Sequence, residues 1–162
     1  MSFDEEFLDR LVEALGGVQL EAIIVGNVAG LLQGAPVLTR DVDLLVRDTP
    51  LNRKKLRRLA ENLGGVGPEE ISPLTSAQRI LGTAVPIDIL FNEISGGLKF
   101  ESLRSRSSKI LIRRHSATVA SLADVIHSKE AAGRPKDLAQ LPILRDTLRV
   151  RHALEKDDKG TK

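Results

Sequence analysis

The sequence predicts an α/β (α+β) fold: a small mixed sheet of three to five strands flanked by helices, with a C-terminal helical hairpin. Three observations carry this expectation. Short apolar runs of strand length recur at residues 21–26, 41–47 and 85–91. Between them lie stretches whose apolar residues fall at i, i+3 and i+4, the spacing of one helix face. Glycine or proline punctuates most of the junctions. Strands interspersed with helices bury their apolar surfaces as a sheet covered by helices.

The elements follow in order. Residues 4–16 read as an amphipathic helix, with Phe7, Leu8, Leu11, Val12 and Leu15 on one face and acids at its start, where the helix dipole favours them. Gly16 and Gly17 end it. Residues 21–26 are a short strand buried on both faces. Asn27 is an N-cap for a helix over residues 28–32, closed by Gly34-Ala35-Pro36. Residues 41–47 form a second strand. Residues 51–63 form a helix with Leu56, Leu59 and Leu63 inward and an Arg/Lys cluster outward. Residues 69–84 are ambiguous, with a strand over 77–81 as one option. Residues 85–91 are the third strand. A short helix is expected at 98–107, strands at 109–113 and 117–120, and a helix at 121–132 that Gly133 breaks. Pro135 starts the last helix, whose stripe is Leu138, Leu141, Leu144 and Leu148; Pro142 should kink or split it. A single domain is expected over residues 1–155, with a disordered tail at 156–162.

Composition narrows the chemistry. Aromatics are 2% of the chain, so the core must be aliphatic and base stacking on aromatic platforms is disfavoured. There is no cysteine, which excludes disulfides, thiol catalysis and cysteine-ligated metals. No apolar run approaches the roughly 18–20 residues that span a bilayer. The acidic start MSFDEEFLDR lacks the apolar core of a signal peptide, so the protein is read as cytoplasmic, with no membrane partner. Net charge is only +2, but basic residues cluster at Arg53 to Lys55, Arg57-Arg58, Arg113-Arg114-His115 and Arg145 to Arg151. Each cluster alone is read first as a solvated helix face. Together they also fit a polyanionic substrate.

The stretch VGNVAGLLQGAPVLTRDVDLLV, residues 25–46, organises the chain. Its second strand carries Asp41 and Asp43, which share a face because strand side chains alternate. Two like charges so close are costly unless a cation lies between them. The first strand ends in Gly26-Asn27 and a helix follows at once, offering free N–H groups that suit a phosphate. The pattern is a phosphate cradle facing a metal site. Asp88 lies within the apolar strand at residues 85–91, where it must be paired, metal-bound or solvated. Arg40 is assigned to the face opposite Asp41. His115, His127 and His152 have no metal-ligand spacing, and Ser107 and Ser108 lack a His/Asp arrangement.

Gly26-Asn27, Asp41-x-Asp43 and Asp88 on a later strand resemble the polymerase-beta-type nucleotidyltransferase superfamily. More narrowly, residues 25–46 resemble small bacterial nucleotidyltransferase-like proteins related to abortive-infection toxins. There a glycine turn and an A-x-x-x-x-G helix precede an R/T-x-D-x-D strand. The segment from Lys129 through Arg134 and Lys136 to Leu138 is similar to the K-x-x-A-x-R-x-K-D-L hairpin of the same group. The resemblance covers roughly residues 20–145. One departure is Asn27, where the superfamily's first motif usually has glycine or serine.

The resemblance implies an enzyme that moves a nucleoside monophosphate from an NTP, ATP among them, to RNA, protein or a small molecule. Asp41, Asp43 and Asp88 would be catalytic and would ligate Mg²⁺, two ions, in an in-line displacement. Gly26, Asn27, Lys129 and Arg134 would bind the nucleotide, although Lys129 reads equally as an exposed helix lysine. Asp137 is expected to cap or ion-pair within the hairpin. Expected partners are an NTP, an RNA or tRNA acceptor and, in the toxin version, an antitoxin. The alternative is a catalytically silent nucleotide- or RNA-binding module on the same fold.

Overall fold

The structure is a computed structural model and describes residues 3–160. It is built on a mixed sheet with helices, as the sequence predicts, but the sheet is wider than expected. The first helix, α1 (Glu5–Gly17), is capped by Asp4, whose carboxylate accepts the Phe7 N–H, and it buries Phe7, Leu8, Leu11 and Leu15. Strand β1 (Ile23–Val25) is buried throughout. Helix α2 (Gly26–Leu32) follows without a spacer.

Strand β2 (Val42–Val46) leads into α3 (Pro50–Asn62), where Thr49 caps the Asn52 N–H and Pro50 takes the first position. Pro at that position gives up an N–H that has no partner inside the helix anyway. Strands β3 (Val66–Glu70), β4 (Gln78–Leu81) and β5 (Ile87–Phe91) follow. A small separate ribbon, β6 (Glu93–Ile94) with β7 (Leu98–Lys99), turns at Gly96-Gly97 and feeds α4 (Phe100–Arg106). Strands β8 (Ser108–Leu111) and β9 (Ser116–Val119) form a hairpin. Ser121 caps α5 (Leu122–Ala132), which ends at Gly133 with φ +63°, and α6 (Pro135–Gly160) closes the chain.

Seven strands form the main sheet in the order β3-β4-β5-β2-β1-β9-β8. The expected three to five strands were too few because the edge strands hide their pattern. Strand β3 reads VGPEE and buries no residue fully, so it carries no alternation to detect. The central strands are the clear ones: Ile23, Ile24, Leu44, Leu45, Ile87 and Ile89 are at most 1% exposed. Each such side chain contributes about 1.5–3 kcal/mol on burial. Strand β2 runs antiparallel to β1 and parallel to β5.

Helix α5 packs on both α2 and α6, so the C-terminal pair forms the expected hairpin. Two expectations concern α6. Pro142 does not split it, because Leu141 and Leu144 on either side are buried in the core. Their packing outweighs the roughly 3 kcal/mol cost of one internal proline. The expected tail from residue 156 is instead helical as far as Gly160, and Thr161 and Lys162 lie outside the described residues. No helix of the described residues is long and apolar enough to cross a membrane.

Candidate active site

Sheet register assembles the site. In the parallel pairing of β2 and β5, Asp43 stands directly beside Asp88. In the antiparallel pairing of β4 and β5, Arg79 stands directly beside Asp88 on its other side. Val25, the residue before Gly26, pairs with Asp43. One row across four strands therefore reads Arg79, Asp88, Asp43, Val25. Asp41 lies just before β2 and Asp43 within it, and all three acids line one cleft of about 1480 Å³. The sequence placed these three together, and the structure does the same.

Gly26 shapes the floor. Its φ is +68°, a left-handed conformation that glycine adopts without strain. A Cβ at residue 26 would lie 2.2 Å from Asp43 Oδ2, so the carboxylate occupies the space where any other side chain would begin. Asn27 does not cap α2; the extended residue at that point is Val25, and Asn27 sits inside the first turn. Its Nδ2 donates to the Leu38 carbonyl at 3.3 Å, while its Oδ1 is buried and has no hydrogen-bond partner among the described residues.

The acids differ in their surroundings. Burial, then the charges of Asp88 and Asp41, push the Asp43 carboxyl up to about 7; Lys129 and Lys136 pull the other way. Asp88 is paired: Arg79 Nε donates to its Oδ1 at 2.6 Å and Arg79 Nη2 to its Oδ2 at 3.0 Å. Arg79 Nη2 also lies 3.6 Å from Asp41 Oδ2. This pair answers how an acid survives inside an apolar strand.

The hairpin supplies the opposite wall. Lys129 is buried, not the exposed lysine that was the other option, and its Nζ lies 3.7 Å from Asp137 Oδ1. Burial holds the Lys129 pKa below the usual lysine range, against the pull of Asp137 and Asp43. Arg134 donates to Asp137 at 2.6 and 3.2 Å. Burial works against the Asp137 charge, but Arg134 and then Lys129 outweigh it and its pKa falls. Asp137 thus ion-pairs within the hairpin, as expected. Lys136 and Arg40 also line the cleft. Arg40 had been assigned to the far face, but it precedes the first strand residue, Val42, so strict alternation does not govern it.

The donor set fits a hard divalent cation: it is all carboxylate oxygen, with one acid whose charge is disfavoured by burial and by its two acid neighbours. Asp41 and Asp43 are the pair best placed to hold one. No three acids or histidines converge on a common point among the described residues. Outside the cleft, His115 is tied to Asp9 and His127 to the Gly96 carbonyl.

Sequence reading misses Arg79 and leaves Arg40 out of the site. Only the register of β4 against β5 singles out Arg79, and that register is invisible in a stretch without clear alternation.

Comparison of the sequence with protein-family models finds no match, and neither does comparison with curated proteins. The fold does match solved structures. The solution structure of the antibiotic-resistance factor ANT(2'')-Ia aligns with TM-score 0.64 and 16% identity, over 98% of this chain and 97% of that one. ANT(2'')-Ia in complex with adenylyl-2''-tobramycin aligns with TM-score 0.63 and 15% identity, over 94% and 97%. An antigenic nucleotidyltransferase-like protein from Paracoccidioides brasiliensis aligns with TM-score 0.56 and 17% identity, over 93% and 78%. The chain therefore has the polymerase-beta-type nucleotidyltransferase fold that its motifs resemble.

Proposed function

We propose that the protein is a divalent-metal-dependent nucleotidyltransferase that moves a nucleoside monophosphate from an NTP to an acceptor hydroxyl. The observation that carries this reading is that Asp41, Asp43 and Asp88 line one cleft, with Asp43 and Asp88 adjacent across two strands. Keeping three acids beside one another is costly unless the site works with cations.

Each residue has a part. Asp41 and Asp43 would hold the metal, Mg²⁺ in the first instance and two ions in the full complex, with Asp88 sharing one of them. A bound divalent cation supplies charge stabilisation to the attacking and leaving oxygens. Gly26 leaves the room that Asp43 needs. Asn27 at the first turn of α2, with Lys129, Arg134 and Lys136 opposite, receives the triphosphate. Asp88, once free of Arg79, accepts the proton of the acceptor hydroxyl. The acceptor oxygen then bonds to the α-phosphorus as the bond to the bridging oxygen breaks, and pyrophosphate leaves. The adenylyl product bound to ANT(2'')-Ia makes ATP the first nucleotide to test. Arg40 and Lys136 at the cleft favour a phosphate-bearing acceptor such as RNA or tRNA over a polycation. The toxin role and an antitoxin partner rest on the motif resemblance.

The test is incubation with each α-³²P-labelled NTP, Mg²⁺ and total RNA or tRNA. Label transfer with pyrophosphate release, lost in Asp43→Asn, supports the reading. One observation favours the silent binding module: Arg79 occupies both oxygens of Asp88. NTP binding that depends on Asp41 and Asp43, without transfer to RNA, protein or small-molecule acceptors, would select that alternative.

A further inference from the structure

The row that gathers the acids also carries a cation of its own. Arg79 is the direct cross-strand neighbour of Asp88, donates to both its oxygens, and reaches within 3.6 Å of Asp41. It therefore touches two of the three carboxylates that the proposed function assigns to metal. A guanidinium and a divalent cation on the same carboxylates repel each other. The two cannot share Asp88.

We propose that Arg79 is the site's resident counter-ion: it competes with the divalent cation for Asp88 and Asp41, and its departure from Asp88 lets the three carboxylates converge. This rests on the metal-site reading above and adds a residue that sets metal affinity. Two features make the exchange feasible. The Arg79 side chain is 37% exposed whereas that of Asp88 is 13% exposed, so the cation is the member free to move. Arg79 belongs to β4 and Asp88 to β5, whose register keeps the acid in place when the guanidinium swings away. Released Arg79 remains on the cleft wall, where a phosphate oxygen offers it a new bidentate partner.

The opposing account is that Arg79 merely orients Asp88. The two accounts predict opposite effects on metal binding. We would titrate Mn²⁺ alone, without nucleotide, and count free ion by electron paramagnetic resonance in wild type, Arg79→Gln, Arg79→Lys and Asp43→Asn. A resident counter-ion predicts that Arg79→Gln binds Mn²⁺ roughly tenfold tighter than wild type, a modest coupling between exclusive cations. Arg79→Lys should fall between, because an ammonium cannot grip both oxygens in the same plane. Metal-free Arg79→Gln should melt below wild type, and saturating Mn²⁺ should erase the gap. A folded Arg79→Gln variant with wild-type or weaker Mn²⁺ affinity overturns the proposal. If circular dichroism shows that variant unfolded, Arg79→Lys decides: tighter binding than wild type supports competition, and equal binding overturns it. If wild type and both Arg79 variants bind no more Mn²⁺ than Asp43→Asn, the metal-site reading itself has failed.

Discussion

Gly26 and Asp43 are fitted to one another: Oδ2 of the aspartate lies 2.2 Å from where a Cβ on residue 26 would stand. The glycine is needed twice, for its φ of +68° and for this vacancy. Gly26→Ala should therefore destabilise the fold by about 1–3 kcal/mol and push the carboxylate out of place. A double-mutant cycle separates the two causes. In an Asp43→Ala background the clash is gone, so Gly26→Ala should cost clearly less, measured by urea denaturation. Equal costs in both backgrounds would assign the whole effect to backbone strain.

The raised Asp43 pKa makes stability depend on pH in a known direction. The unfolded carboxyl titrates near 3.8, the folded one near 7, so between these values the folded chain holds more protons. Stability contributed by this group therefore falls as pH rises from about 4 to about 7, and the penalty is complete above that. In metal-free buffer at pH 8, Asp43→Asn should be more stable than wild type by on the order of 2–4 kcal/mol. At pH 4 the two should nearly coincide. Paired thermal melts at both pH values check this; equal stability at pH 8 would mean that Asp43 is not strained.

Asp137 holds the hairpin's cations. Removing it leaves Lys129 buried among Asp43, Arg134 and apolar neighbours with its nearest acid gone. Asp137→Ala should cost about 3–5 kcal/mol, the range for breaking a buried pair from one side. Lys129→Met in the same background should recover part of it, since the orphaned charge is then absent.

Under the proposed chemistry, Asp88→Asn removes the proton acceptor. Transfer of labelled nucleotide should fall by about 10²–10⁴-fold. NTP binding by calorimetry should persist, because Asp41, Asp43 and the hairpin cations remain. Loss of binding together with transfer would move Asp88 from proton acceptor to structural support.

Much of the fold was legible because its central elements obey strong local rules. The apolar runs around Asp43 and Asp88 announce buried strands. The stripes Phe7-Leu8-Leu11-Leu15 and Leu56-Leu59-Leu63 announce helices through their i, i+3 and i+4 spacing. The acids were legible because a charge inside such a run is expensive. Long-range pairing was not legible: nothing in VGPEE or QRIL states that Arg79 faces Asp88. Asn27 misled because it has the chemistry of a cap, but the glycine before it already turns the chain and draws it into the helix. The full length of α6 is not legible because the charged segment at its end carries no apolar stripe of its own.

The acids stand on β5 and at or beside β2, central strands of the sheet, whereas the segments at residues 34–40 and 71–77 reach the cleft from connections between elements. Chemistry and recognition are thus written in different parts of the chain. Drift in the two loops can change what the cleft admits while the hydrogen-bond ladder keeps the carboxylates on station. A scaffold divided in this way can acquire a new acceptor without relearning the reaction.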